Sequence, residues 1–225
     1  VYTFALSYTN DKEAKQTFKH TFKNERVTAK ISLQKQDKEN KKAVPQGDAT
    51  LEKAVYGLYA REDIVHPDGA TGVVYKAGEQ VATLTTDKNG QASVDGLYLG
   101  NYYVKEITPP TGYLADEEEH DLVCNYEGDL VAEVKRDCLS LEQVMKQPFQ
   151  IIKAANNGKT DADLLKGAGF TAYLVSSLKV NEDGSYDFDS AKPVVIGENG
   201  ATEIFTDKKG YACSIAIPYG TYIVR

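Results

Sequence analysis

The chain has 225 residues and a formal net charge of −7, with 26 Lys and Arg against 33 Asp and Glu. The charges form no basic block, which argues against nucleic acid or anionic lipid as a partner. No apolar run reaches bilayer length, so we predict no membrane insertion. Abundant Gly and Tyr, no Trp and a single Met favour short strands joined by turns, hence an all-β chain.

The first 27 residues predict the closing strands of an upstream β module. The chain opens within a strand-like pattern, VYTFALSY, and closes on another, GTYIVR. Neither end carries a signal peptide or an anchor motif. We therefore expect an internal piece of a longer protein.

An internal repeat organises the rest of the chain. The first copy contains ISLQKQD (31–37), KAVYGLYARED (53–63) and TTDKNGQASVDGLYLGNYYVKE (85–106). The second contains FQIIKAA (149–155), KGAGFTAYLVS (166–176) and FTDKKGYACSIAIPYGTYIVR (205–225). Each copy opens with an alternating strand that carries one lysine near its end, Lys35 or Lys153.

A T-D-K-x-G segment in each copy, at 86–90 and 206–210, predicts a tight turn. Aspartate accepts local backbone hydrogen bonds and glycine adopts positive φ. We expect each turn to open a hairpin. The stretch 60–82 is an insertion of the first copy and predicts a surface loop.

The end of the first copy predicts further strands. DEEEH, from Asp116, predicts an exposed turn, and HDLVCNY and LVAEVKRDCL follow as strands. LSLEQVMK (139–146) hints at helix but is too short to stand alone, so we interpret it as strand plus linker. The predicted division is an upstream tail (1–27), a complete module (28–145) and a truncated module without its last strands (146–225).

The cysteines and histidines predict no metal site. Cys124, Cys138 and Cys213 form no C-x-x-C pair. A hairpin turn at 127–129 would place Cys124 opposite Glu133, which disfavours a disulfide with Cys138. His20, His66 and His120 lack ligand spacing, and the acidic run 116–119 is typical of a solvated turn.

The two copies resemble the Cna B-type repeats, also called SpaA-type or prealbumin-like, of Gram-positive pilins and adhesins. The resemblance rests on LQKQD ending near Lys35, on AVYGLY, on TDKNGQASVDGLYLGNYYVKE and on EITPPTGY from Glu106 to Tyr113. It covers about residues 28–145 in full and 146–225 as a truncated copy. It implies tandem antiparallel β-sandwich modules of about seven strands.

The resemblance also implies an intramolecular isopeptide bond between a first-strand Lys and a last-strand Asn or Asp, assisted by a Glu. Lys35 matches the amine and Glu106 the catalytic acid. No Asn stands at the usual acceptor position, so we predict Asp137 as acceptor, with Asn125 as the alternative. If the bond has been lost, Lys35 and Glu106 form a buried ion pair instead.

Two further residues match this chemistry in the incomplete modules. Lys153 matches an amine whose partners lie beyond Arg225, and Asn24 matches the acceptor of an upstream module or is a turn residue. Residues 1–27 of one molecule could also supply strands missing from 146–225 of another.

These observations predict a structural stalk or adhesin module of a secreted protein at the bacterial cell wall, with neighbouring modules as its partners. The alternative is an adhesin module that binds a host glycoprotein, immunoglobulin or glycan directly, through the modules or the insertion 60–82. Tyr102 and Tyr103 are adjacent, so only one can join an exposed platform. We found no motif of a turnover enzyme and expect no cofactor.

Overall fold

The computed structural model describes residues 3–4, 19–21, 25–155 and 163–225. Most of the predicted tail 1–27, including Asn24, lies outside the described residues. The stretch predicted as a complete module (28–145), called the first module below, contains nine strands: β1 Thr28–Asp37, β2 Val55–Ala60, β3 Ile64–Val65, β4 Val73–Tyr75, β5 Gln80–Thr85, β6 Gln91–Leu97, β7 Gly100–Thr108, β8 Glu119–Cys124 and β9 Glu133–Glu142.

The first module is a sandwich of two sheets, with strand orders β6-β1-β9 and β5-β2-β7-β8. The strands β3 and β4 form a separate small ladder within the insertion 60–82. The predicted all-β sandwich class is confirmed. One pairing differs from the antiparallel expectation: β1 and β9 run parallel, in register from Thr28 opposite Glu133 to Asp37 opposite Glu142.

The sandwich core follows from the period-two pattern of β1. Every second residue of this strand is buried, beginning with the apolar Ala29, Ile31 and Leu33. Side chains of the facing sheet, among them Leu58 and Val104, complete the apolar part of the core. The same inward face continues into Lys35 and Asp37, so the alternation itself carries two charged side chains into the interior.

The turn at 86–90 forms as predicted, but it does not close a hairpin. The Asp87 carboxylate accepts hydrogen bonds from the backbone N–H groups of Asn89 and Gln91, and Gly90 has φ +73°. The strands on either side belong to different sheets, since β5 pairs with β2 and β6 with β1. The turn therefore carries the chain from one sheet to the other.

The segment LSLEQVMK is strand at its start, as interpreted. Its first four residues are the end of β9, and Val144 bridges to Tyr113 just beyond. Parallel pairing with β1 supplies the backbone partners, and its inward residues are buried. Tertiary pairing thus outweighs a weak local helical tendency.

The strands after residue 145 are shorter and form several small ladders. They are β10 Lys146–Gln147, β11 Gln150–Ile152, β12 Gly169–Leu174, β13 Lys179–Val180, β14 Tyr186–Asp187, β15 Glu203–Phe205, β16 Tyr211–Cys213, β17 Ile217–Pro218 and β18 Tyr222–Val224. A small core gathers around Ala172, Ile196 and Ile217. The turn at 206–210 again connects different ladders, β15 with β12 and β16 with β11.

The segment after residue 145 packs against the first module through a polar junction. Asp48 donates its backbone N–H to the carbonyl of Tyr219 at 2.8 Å, and its carboxylate accepts from the N–H of Thr221 at 3.0 Å. The Ser176 hydroxyl also contacts the Asp48 carboxylate.

Among the described residues, no helix has the length and apolar character of a membrane span.

Candidate isopeptide site

Lys35 is the centre of a polar cluster at one end of the sandwich core. Its side chain projects from β1 between the two sheets and has no solvent exposure. A buried ammonium needs compensating partners. Three side chains from three other strands supply them.

Two of these partners lie on the facing sheet. Lys35 Nζ is 3.3 Å from Glu106 Oε1 and 3.3 Å from the hydroxyl of Tyr56. Tyr56 on β2 pairs with Glu106 on β7 in the antiparallel ladder. The side chains of directly paired residues lie on the same face of a sheet, which is why both reach the same amine.

The third partner is Glu142, the last residue of β9. The parallel register places Ser140 opposite Lys35, and two residues further along β9 the buried Glu142 carboxyl contacts Lys35 Nζ. Glu142 Oε1 accepts a hydrogen bond from the Tyr56 hydroxyl at 2.6 Å and lies 3.2 Å from Ser140 Oγ. Within the described residues, the buried Glu142 Oε2 finds no hydrogen-bond partner.

Burial sets the electrostatics of the cluster. Desolvation lowers the pKa of Lys35 to about 8, although the negative charge of Glu106 opposes this change. Desolvation likewise raises the pKa of Tyr56 far above its usual range. The amine is therefore more easily neutralised than an ordinary lysine, while the phenol remains a hydrogen-bond donor.

A loop residue connects this cluster to the surface. The backbone N–H of Asp116 donates to Glu106 Oε2 at 2.8 Å, and the Asp116 carboxylate lies 3.0 Å from His120 Nε2. Ligand atoms of Asp116, Glu118 and His120 all lie within 4.8 Å of one another. The acidic turn predicted at this position is thus half-buried at Asp116 and holds Glu106 in place.

The segment EITPPTGY (106–113) places Tyr113 beside the cluster. Tyr113 donates its hydroxyl to the buried Asp37 carboxylate at 2.9 Å, and Lys35 Nζ lies 5.4 Å from the Tyr113 ring centroid. Gly112 has φ +85°, and a Cβ there would approach the Ala49 Cβ to 2.6 Å. The glycine is therefore required for Tyr113 to reach its place.

The structure brings Lys35 and Glu106 together but places both predicted acceptors elsewhere. Asp137 pairs with Ser32, and its side chain is exposed on the outer face of the sheet. Asn125 is exposed just after β8. Along β9 the buried positions are those of Val134, Cys138, Ser140 and Glu142, and the odd-numbered Asp137 lies on the opposite face of the strand.

Sequence reasoning missed Glu142 and Tyr56. The signal for Glu142 was the alternation of β9: if Cys138 faces the core, residues 140 and 142 do as well. For Tyr56, the pairing of β2 with β7 had to be known. Tyr56 instead looked like an ordinary aromatic of a half-buried strand.

The predicted counterpart Lys153 has an exposed side chain. Its backbone occupies an equivalent place, since Lys153 N–H donates to the Gly210 carbonyl at 2.7 Å as Lys35 N–H does to Gly90 at 2.8 Å. Asn24, the other counterpart, lies outside the described residues. Of the two matching lysines, Lys35 and Lys153, only Lys35 lies in a buried polar cluster.

The cysteines and tyrosines have ordinary structural roles. All three cysteines are free thiols, with Cys124 and Cys138 buried and Cys213 exposed. Tyr102 is buried, whereas Tyr103 stacks on Tyr59 on the other face, with ring centroids 5.0 Å apart.

Comparison with known proteins identifies the fold. The family model of the SpaA prealbumin-like fold domain matches residues 29–137. The Bacillus anthracis TIE protein is 22% identical with a TM-score of 0.54, over 91% of this chain and 29% of its own. A streptococcal ancillary pilin is 23% identical with a TM-score of 0.36, over 89% of this chain and 53% of its own.

The shaft pilin SpaA of Lactobacillus rhamnosus GG is 18% identical with a TM-score of 0.34, over 87% of this chain and 85% of its own. This chain therefore spans less than a third of the TIE protein and about half of the ancillary pilin. No curated protein matches it significantly. The matched residues, 29–137, lie within the two-sheet sandwich, and the comparisons support a prealbumin-like fold for this part of the chain.

Proposed function

We propose that this chain is a structural module of a secreted surface protein of a Gram-positive bacterium, cross-linked internally by an isopeptide bond between Lys35 and Glu142. The observation that carries the proposal is the buried contact of the Lys35 amine with the Glu142 carboxyl, beside Glu106. The bond forms once in each molecule, so the module has no turnover activity.

The cluster has the chemistry that amide formation needs. A lysine attacks only as the neutral amine, and burial favours that form. With all three groups ionised, one ammonium and two carboxylates would share a dry core, and each of the three buried ions would carry a desolvation cost. A neutral amine and a protonated Glu142 remove two of these charges and are also the reactive pair.

Glu106 acts as the acid and base of the reaction. It lies 3.3 Å from the amine nitrogen, within reach of the proton that the nitrogen loses as the C–N bond forms. The same proton then leaves with a Glu142 oxygen as water. Glu106 ends the reaction unchanged, and its position is secured by the Asp116 N–H.

The revised acceptor is Glu142 in place of Asp137. Asp137 is exposed on the outer face of the sheet and would need a register shift of β9 to reach the core. Such a shift would turn the buried residues of β9 towards solvent. The longer glutamate side chain, starting two residues beyond the position opposite Lys35, reaches the amine without this shift.

The bond suits a module that carries tension between its neighbours. Chain tension enters at the start of β1 and leaves at the end of β9, and these two strands lie side by side. A covalent link from Lys35 to Glu142 passes this tension directly from the first strand to the last. The chain between Lys35 and Glu142 would then not be extended under load.

Intact mass of the denatured, reduced chain tests this function. We expect the wild type to lack one water, and we expect Lys35→Ala and Glu142→Ala to have their full mass. Asp137→Ala, the matched control, should retain the loss, and fragmentation should place the cross-link between peptides that contain Lys35 and Glu142. A wild-type chain of full mass would reduce the cluster to a buried ion pair.

The insertion 60–82 gives a second candidate, direct binding of a host protein or glycan. Val65 and Val73 on its small ladder are exposed by 55% and 43%. Tyr126, which lies outside the insertion but lines the same pocket as Val65, is exposed by 56%. Exposed apolar groups of this kind are typical of contact surfaces. If this candidate is correct, the wild type binds host serum glycoproteins, and serine substitutions at Val65 and Val73 should abolish that binding. A wild type that does not bind, or serine variants that bind as well as the wild type, would favour the structural role.

A further inference from the structure

We infer that Tyr56 is a catalytic residue of isopeptide formation, whose hydroxyl stabilises the negative charge that develops on Glu142 Oε1 when Lys35 attacks. This inference rests on the function proposed above and extends it. It assigns a specific role to a buried tyrosine that otherwise looks like a core aromatic.

The hydroxyl of Tyr56 touches both reacting groups. It donates to Glu142 Oε1 at 2.6 Å and accepts from Lys35 Nζ at 3.3 Å. The Tyr56 side chain is fully buried, and the β2–β7 ladder holds its backbone opposite Glu106. Donor and acceptor are therefore aligned before the reaction begins.

The two oxygens of Glu142 have different surroundings, which divides their roles. Oε1 receives the Tyr56 hydroxyl and lies near Ser140, whereas Oε2 has no hydrogen-bond partner among the described residues. Negative charge is stabilised best where a donor is already in position. Oε1 is thus the oxygen that becomes the oxyanion, and Oε2 is the oxygen that leaves.

The steps balance as follows. The lone pair of the neutral Lys35 amine forms a bond to Glu142 Cδ, and the C=O π pair moves onto Oε1, where Tyr56 stabilises it. The Glu106 carboxylate takes a proton from the nitrogen and passes it to the Oε2 hydroxyl, which departs as water. The C=O bond re-forms at Oε1, leaving an amide, one water and an unchanged Tyr56.

The low-dielectric site increases the effect of this single donor. A hydrogen bond to a developing charge is much stronger in a dry interior than in water. The phenol stays protonated because burial raises the pKa of Tyr56. The donor is consequently present wherever the module is folded.

The test is a time course of bond formation in Tyr56→Phe. The full chain is made by cell-free synthesis, quenched in denaturant at intervals, and weighed to follow the loss of water. We expect Tyr56→Phe to form the bond about 10²-fold more slowly than the wild type, by analogy with removal of an oxyanion donor. Tyr102→Phe is the matched control, because its buried hydroxyl donates to the Tyr98 carbonyl away from this cluster.

A second variant keeps the shape of the side chain in case the phenylalanine variant fails to fold. Site-specific replacement of Tyr56 by 3,5-difluorotyrosine makes the hydroxyl a stronger donor, so bond formation should accelerate. Wild-type rates in a folded Tyr56→Phe chain, or in the fluorinated chain, would overturn the role of Tyr56 while leaving the cross-link intact. A wild type that never loses water would instead refute the proposed function itself, and this inference with it.

Discussion

Replacing Glu106 with Gln should convert a module of fixed length into one that unfolds under force. The substitution keeps the size of the side chain but removes the base that takes the Lys35 proton. Without the bond, the chain between Lys35 and Glu142 can be pulled out. That segment has about 107 residues, each spanning at most ~3.6 Å when extended, and would add about 380 Å of length.

Single-molecule force spectroscopy on the full chain, held by its two ends, measures this length. The wild type should show no event of this size, because tension passes through the covalent bond. Glu106→Gln should show it in every complete trace. Glu117→Gln is the matched control, since Glu117 is exposed on the neighbouring loop.

Intact mass has to accompany these traces. A Glu106→Gln chain that still lacks one water would show that Glu106 is dispensable for the chemistry. A wild type that lacks one water yet releases the full length would refute the proposed path of tension. At equilibrium, loss of a cross-link that closes a loop of roughly 100 residues should cost about 4–5 kcal/mol of unfolding free energy.

Four further measurements test other parts of the structure. Bond formation, followed by mass after cell-free synthesis, should accelerate as the pH rises towards about 8, because the lowered pKa of Lys35 makes more of the amine neutral over this range. Tyr113→Phe should cost about 1–3 kcal/mol in urea unfolding, because the buried Asp37 loses a donor. Asp48→Ala should broaden the distances between spin labels on the two sides of the junction. Cys213 alone should react quickly with a thiol reagent in the native chain, because burial raises the pKa of the other two thiols.

Much of the fold could be predicted because its signals are local. Alternation along ISLQKQD placed Lys35 on the inward face, and the D-K-x-G segments identified their turns. Pairing between distant strands could not be predicted in the same way. The turn at 86–90 looked like a hairpin because sequence shows that the chain reverses, but not which sheet receives the next strand.

The proposed acceptor, Glu142, was not predicted from the sequence for a similar reason. Asp137 and Cys138 are neighbours on β9 and point to opposite faces, so one is exposed and the other buried. Only the register of β9 against β1 determines which of the two faces the core. The family pattern directed attention to Asn or Asp, and Glu142 fits neither. Its reach depends on the longer side chain and on the parallel pairing with β1.

The polar end of the core links folding to the proposed cross-link. Lys35, Glu106 and Glu142 continue the buried faces of their strands, so the fold cannot form without bringing them together. Kept as ions, they would cost several kcal/mol each in desolvation, offset only in part by their attraction. In the proposed reaction, condensation of Lys35 with Glu142 would replace two of these charges by a neutral amide. The proposed reaction would thus remove the desolvation cost of burying Lys35 and Glu142 as ions. The same burial that destabilises the unreacted module would promote the bond that stabilises it.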